Sequence, residues 1–238
     1  MIRGTVISLL VLGGLAIAPC PPAHAQPPAA AGFAPALPRA GATLLLENAR
    51  GSVWDVIYPP GVPTAMHRHG ADFIGVELIS SRLKLTSPTG KIVFEDVAHG
   101  DIYMLPKGLT HIEEGVAGYP QRNAMLIELK DTPSQAYPNT TVLPVGFPAE
   151  GARKPVDNAR ATIWDVLWAA GASGKPFFQS RDIFLVPIDA GVLSIASEDE
   201  PTRELPLAGG QVVFLPGGHG RTIRSVKGAV RAAVIELK

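Results

Sequence analysis

The feature that most constrains this chain is that its second half repeats its first. Asn48-Ala49-Arg50 recurs as Asn158-Ala159-Arg160, and Trp54-Asp55-Val56 as Trp164-Asp165-Val166, an offset of 110 residues (48 to 158). The same offset aligns Gly61 with Gly171, Asp72 with Asp182, Gly100 with Gly210 and Leu105-Pro106 with Leu215-Pro216. Ile127-Glu128-Leu129-Lys130 meets Ile235-Glu236-Leu237-Lys238 at an offset of 108 (127 to 235). A unit of this length is a duplicated domain, longer than a solenoid repeat of about 20–50 residues. The chain therefore reads as two copies of one module, over 43–131 and 156–238, joined by a Pro-rich linker over 132–155.

Within the first copy the pattern is one of short strands. Ser52 to Tyr58, Asp72 to Leu78, Leu83 to Leu85, Ile92 to Phe94, Ile102 to Leu105 and Ala124 to Leu129 are apolar or alternating runs. Pro59-Pro60-Gly61, Ser87-Pro88-Thr89-Gly90 and His99-Gly100-Asp101 separate them as turns. No segment carries a long helical stripe, and many closely spaced strands predict an all-β sandwich or barrel. With 46% hydrophobic and 18% charged residues, the chain can fill a core. Its 21 basic and 21 acidic residues balance, so there is no electrostatic footprint for nucleic acid or an anionic membrane surface.

Chemistry concentrates in two stretches of the first copy. In Pro63-Thr64-Ala65-Met66-His67-Arg68-His69, the two-residue period of a strand sends His67 and His69 to one face and Arg68 to the other. Gly100 to Leu105, followed by Pro106-Lys107-Gly108-Leu109-Thr110, presents His111. Three imidazoles from two strands predict a metal site inside a small β-barrel, with two or three coordination positions left open. Imidazole suits iron, manganese, nickel, copper and zinc alike, so the ligand type does not choose among these divalent ions.

The spacing from Gly61 to His67 and His69, and from Gly100 to Pro106, Gly108 and His111, resembles the two motifs of the cupin superfamily. The resemblance covers Leu44 to Lys238 and implies a bicupin: two tandem jelly-roll barrels. Cupins usually carry a glutamate four or five residues after the second histidine, where this chain has Phe73 and Ile74. The resemblance thus implies a three-histidine centre, as in cupin dioxygenases that act on diketones or small thiols. In the second copy the ligand positions become Phe177, Gln179 and Arg221, and His219 falls two residues short in a glycine-flanked turn. The second barrel is expected to lack metal, to pair with the first and to close its exposed strand edge.

Three neutral imidazoles leave the full charge on a dipositive ion, which favours anionic, chelating substrates and raises Lewis acidity. Glu77 shares strand parity with His69, and Glu113 with His111, so either could face the interior as an outer ligand or general base, Glu113 competing with a solvated mouth. A carboxylate buried at Glu77 needs a partner. Phe73 and Met66 would give the cavity an apolar wall. Trp54 with Asp55 and Asn48 with Arg50 recur in the copy without ligands, which marks them as packing or interface elements.

The first residues read as an export signal. Arg3 precedes an apolar run from Val6 to Ala18, and Ala23-His24-Ala25 fits a cleavage site, giving a signal over 1–25 and a Pro/Ala-rich leader or extended arm over 26–42. The run is short for a membrane span. Cys20, the one cysteine, precedes the cleavage site, so disulfide and thiolate chemistry are absent from the mature chain. The expectation is a periplasmic or secreted metal-dependent enzyme of oxygenase, lyase, isomerase or hydrolase type acting on a small organic molecule, as a monomer or homodimer. The alternative is a non-catalytic metal or small-ligand binder or sensor.

Overall fold

The computed structural model describes residues 32–132, 135–148 and 150–238, so the stretch read as an export signal lies outside the described residues. The first copy contains β1 (Ala34–Pro35), β2 (Ala42–Glu47), β3 (Gly51–Tyr58), β4 (His67–Arg68) and β5 (Asp72–Glu77). It continues with β6 (Ser81–Thr86), β7 (Ile92–Val97), β8 (Ile102–Leu105), β9 (Thr110–Gly115) and β10 (Arg122–Leu129). The second contains β11 (Arg153–Asp157), β12 (Ala161–Trp168), β13 (Phe177–Gln179), β14 (Ile183–Pro187), β15 (Gly191–Ser197), β16 (Arg203–Leu207), β17 (Val213–Leu215), β18 (His219–Lys227) and β19 (Val230–Leu237). The described residues contain no helix, and none long and apolar enough to cross a membrane.

Each copy folds as two facing sheets. In the first the orders are β1-β4-β9-β6-β7 and β2-β3-β10-β5-β8; in the second they are β13-β18-β15-β16 and β11-β12-β19-β14-β17. The register repeats with the sequence: His67 faces His111 across β4 and β9, and Phe177 faces Arg221 across β13 and β18. The turn glycines repeat for a backbone reason. Gly61 and Gly171 both have φ of 74°, and Gly100 and Gly210 have 81° and 83°, the left-handed region that only glycine enters cheaply.

The barrels join face to face. One apolar cluster holds Val53, Ile74, Val76, Met125 and Ile127 from the first barrel with Ile163, Phe184, Val186, Ala233 and Ile235 from the second. Every one of these is fully buried. The expected closing of a strand edge is therefore corrected: among the described strands, each sheet pairs only within its own copy, and the apolar sheet faces are what the partner covers. Arg50 Nε lies 3.2 Å from Asp182 and Arg160 Nε lies 3.3 Å from Asp72. The offset of 110 residues exchanges these two pairs, so the interface has the reciprocal character of a two-fold dimer contact within one chain.

The described parts of the leader and the linker are more ordered than their composition implies. Over the first barrel β1 runs parallel to β4, pairing Ala34 with His67, and Ala36 and Leu37 enter the core beside Val56, Tyr58 and Phe73. Strand structure begins again at Ala42. In the stretch read as a linker, Val145 makes the equivalent parallel bridge to Phe178, and Phe147 packs on Trp168 and Phe177. Both stretches are arms of the repeating module. A two-residue bridge and one anchored apolar side chain leave no periodic signature in the sequence.

Candidate metal centre

β4 carries His67, the residue just past its end is His69, and β9 carries His111, all three between the two sheets of the first barrel. His67, His69 and His111 are all buried, and each can offer a nitrogen within 4.8 Å of those of the other two. Their ring centroids are 4.8–5.4 Å apart. Arg68 points outward and is exposed, as strand parity requires.

One imidazole is oriented by a carbonyl and the other two are held neutral by burial. His67 Nδ1 lies 3.0 Å from the carbonyl oxygen of Ala65, which can only accept, so Nδ1 carries the proton and Nε2 keeps its lone pair. Burial, reinforced by His111, lowers the His69 pKa to about 4, and burial also lowers that of His111. His69 Nε2 and His111 Nε2 stand 3.1 Å apart. Two nitrogens each about 2.0–2.1 Å from one ion, at an angle near 90°, have this separation. His69 Nδ1 is buried with no hydrogen-bond partner. The residues therefore fit a divalent ion held by three nitrogens.

A buried charge network adjoins the triad. Glu77 is completely buried and its carboxylate takes Arg122 Nε at 3.0 and 3.1 Å, Arg122 Nη2 at 2.5 Å and the Tyr103 hydroxyl at 2.8 Å. These bonds satisfy its oxygens, which removes Glu77 as an outer ligand or free base. Glu113 is buried too. It accepts from Tyr58 Oη at 2.8 Å, with Arg39 Nη2 at 3.5 Å and Arg122 Nη1 at 3.7 Å. Burial opposes its ionisation, but Arg122, then His111 and Arg39, outweigh that and hold the carboxyl below its usual range. The neighbouring Glu114 pairs with Lys84 near the surface. Burial first, then the Glu113 charge, pushes the Tyr58 phenol up, so it stays a donor. The guanidinium carbons of Arg39 and Arg122 lie 4.4 and 4.2 Å from the Tyr58 ring centroid.

At the position where cupins usually carry glutamate, the Phe73 ring packs edge-on against His69, centroids 4.8 Å apart. Phe73 is therefore a wall of the site, whereas Met66 is only half-buried. A cleft of about 390 Å³ reaches His67 from outside, lined by Arg39, Tyr58 and Thr64 together with proline, alanine, valine and glycine.

Comparison with known proteins places this arrangement. No protein-family model matches the chain. Over 74 residues it is 35% identical to the β-alanine degradation protein BauB of Pseudomonas aeruginosa, covering 31% of this chain and 77% of that one. The chain belongs to the family of that protein. AerE from Microcystis aeruginosa superposes with a TM-score of 0.55 at 18% identity, over 87% of this chain and 99% of that one. Lactobacillus farciminis oxalate decarboxylase gives 0.56 at 10% identity, over 80% and 78%. A cupin 2 conserved barrel domain protein from Leptotrichia buccalis gives 0.50 at 8%, over 83% and 88%. The fold is that of tandem cupin barrels.

The second barrel serves as an internal control, because it keeps the fold and replaces the site. Phe177, Gln179 and Arg221 stand for the three histidines. Trp168 stands for Tyr58, Pro187 for Glu77, Val213 for Tyr103, Ile223 for Glu113 and Val230 for Arg122, through equivalent strand registers. Trp168, Val213, Ile223 and Val230 join one apolar core there. Gln179 spends its amide on the carbonyls of Arg181, Leu215 and Pro216, and His219 opens β18 near Asp199. Gly75 and Tyr103 also swap together. A Cβ on Gly75 would collide with the Tyr103 ring, and the equivalent pair Leu185 and Val213 moves the bulk to the other strand. The second barrel thus closes with no charge at the positions of Glu77, Glu113 and Arg122, its own buried ionic groups being Arg221, 3.8 Å from Glu200, and Asp165, paired with Arg231. Arg122, Tyr58, Tyr103 and Arg39 were missed by motif reasoning. Aligning the two copies position by position would have found Arg122, Tyr58 and Tyr103 as polar residues set against apolar ones.

Proposed function

We propose that this chain is an exported, metal-dependent cupin enzyme in which His67, His69 and His111 hold one divalent first-row transition metal and a small, anionic, chelating organic molecule is the substrate. The observation that carries the proposal is the coordinated exchange between the copies: three convergent imidazoles beside Glu77, Glu113 and Arg122 in one barrel, and Phe177, Gln179 and Arg221 beside Pro187, Ile223 and Val230 in the other. When bound, the metal supplies Lewis acidity and open positions for substrate oxygen or nitrogen atoms, and where it is iron, copper or manganese it also supplies one-electron chemistry.

The chain's own residues supply the rest. His67 is oriented by the Ala65 carbonyl, and Phe73 fixes the face of His69 and keeps water from that side. Arg122 and Arg39 keep Glu113 ionised beside the triad, where its Oε2 already accepts a proton-bearing group, the Tyr58 hydroxyl. Glu113 is the carboxylate placed to accept a proton at the site, its basicity reduced by the two guanidinium groups, with Tyr58 as the proton's neighbour. The relative BauB is named for the breakdown of β-alanine, a small carboxylate, which accords with this substrate class. Reaction type within the oxygenase, lyase, isomerase or hydrolase range follows from the metal.

The test is elemental analysis and turnover on the full chain and on His67→Ala and His111→Ala. Loss of metal together with loss of activity supports the proposal. Metal that stays bound when all three histidines are alanine sinks it.

A further inference from the structure

Building on the reading of the site as one for an anionic substrate, we infer that Arg39, delivered by the N-terminal arm, is the residue that captures the substrate's carboxylate, and that the cleft between arm and barrel is the substrate subsite. The pairing of Ala34 with His67 lays the arm along the ligand strand, and burial of Ala36 and Leu37 anchors it. Arg39 then reaches over the Tyr58 ring towards the barrel interior.

Its Nη2 donors are unspent. Arg39 Nη2 is buried without a hydrogen-bond partner, and the nearest carboxylate oxygen, on Glu113, is 3.5 Å away, beyond a formed charge-assisted bond of about 2.7–2.9 Å. A buried guanidinium edge left in this state costs free energy unless something occupies it. The Arg39 and His67 side chains both line one cleft of about 390 Å³, the size of a small-molecule pocket, with otherwise largely apolar walls, and the Nη2 edge lies buried on its Glu113 side. One end of a small carboxylate can meet Arg39 while a second donor atom faces the triad.

Charge counting gives the same result. Arg39 and Arg122 are balanced by Glu77 and Glu113, so a divalent ion on three neutral imidazoles leaves the interior doubly positive. A dianion restores the balance and a monoanion halves the excess. In the second copy the residue at this offset is Ala149 and the carboxylate partner is replaced by Ile223, so neither charge is a requirement of the fold.

The experiment loads the full chain with Co(II), whose visible spectrum reports its ligand sphere, and titrates malonate and, separately, the uncharged malonamide into wild type, Arg39→Gln and Arg39→Lys. The expected result is that Arg39→Gln weakens malonate roughly 10- to 100-fold, the range of a hydrogen bond to a charged group. Co(II) stoichiometry and malonamide affinity stay unchanged, and Arg39→Lys recovers part of the loss. Equal malonate affinity in wild type and Arg39→Gln overturns the inference, as does an equal loss of both ligands, which would mark Arg39 as a structural tether of the arm. Failure of wild type to take up Co(II) defeats the metal reading instead. Calorimetric titration of malonate into the metal-free chain then still reads Arg39: binding that Arg39→Gln abolishes upholds the subsite, and absence of binding overturns it.

Discussion

Replacing Arg122 by methionine tests the buried network, and the structure sets the size of the effect. Arg122 is 1% exposed and Glu77 is completely buried, so no water reaches the carboxylate once the guanidinium is gone. Glu77 would keep only the Tyr103 hydroxyl, and Glu113 would lose one of its two cations. Removing one member of such a pair costs about 3–5 kcal/mol, whereas replacing both by apolar groups is near neutral or better. The expected midpoint shift for a chain of this size is roughly 6–20 °C, at about 2–4 °C per kcal/mol. Adding Glu77→Met should recover at least half of that loss, as Pro187 and Val230 show for the second barrel. Guanidinium denaturation followed by tryptophan fluorescence and far-ultraviolet dichroism measures both variants. A single-variant loss below about 1 kcal/mol, or a double variant less stable than the single one, would refute a dry, uncompensated ion pair at this place.

Other outcomes follow from particular contacts. Gly75→Ala should lower stability by about 1–3 kcal/mol through collision with Tyr103, and Tyr103→Val in the same chain should restore most of it; denaturation midpoints of the two variants check this. His99 bridges the barrels, with Nε2 2.9 Å from Asp189 and Nδ1 2.7 Å from the Leu78 carbonyl, and these bonds raise its pKa. Its stabilisation is therefore full below the unfolded value of about 6.5 and fades as pH rises through the higher folded value. Because both side chains are over a third exposed, the effect is below about 1 kcal/mol; His99→Gln should flatten the difference in denaturation midpoint between pH 6 and pH 9, and an unchanged difference would contradict the pairing. Arg50→Ala and Arg160→Ala should each lower the denaturation midpoint, because Arg50 bridges to Asp182 and the Thr132 carbonyl while Arg160 bridges to Asp72 and Asp131, and an unchanged midpoint in both variants would contradict the reciprocal interface.

The doubling and the all-β class were legible because the residues that shape turns and the contact between copies must recur wherever the module recurs. Gly61 and Gly171 repeat for their backbone angle, and Arg50 and Arg160 for their reciprocal ion pairs. The histidines were legible because strand parity is a local rule. Glu77 and Glu113 could be placed inside by the same rule, but their partners could not. Arg122 lies 45 residues from Glu77 and opens an apolar strand, so only register across β5 and β10 brings them together. The arm was read as a leader because Ala, Pro and Gly give no periodicity. Its order comes from two backbone pairings and the buried side chain of Leu37, which are tertiary facts.

The account stands on three imidazoles sharing one ion. Elemental analysis of the purified full chain, after stripping and reloading with a divalent first-row metal, should give one ion per chain for the wild type and none for the His67→Ala/His69→Ala/His111→Ala variant, with the fold intact by circular dichroism. A wild type that stays empty, or a triple variant that still carries one ion per chain, would contradict it.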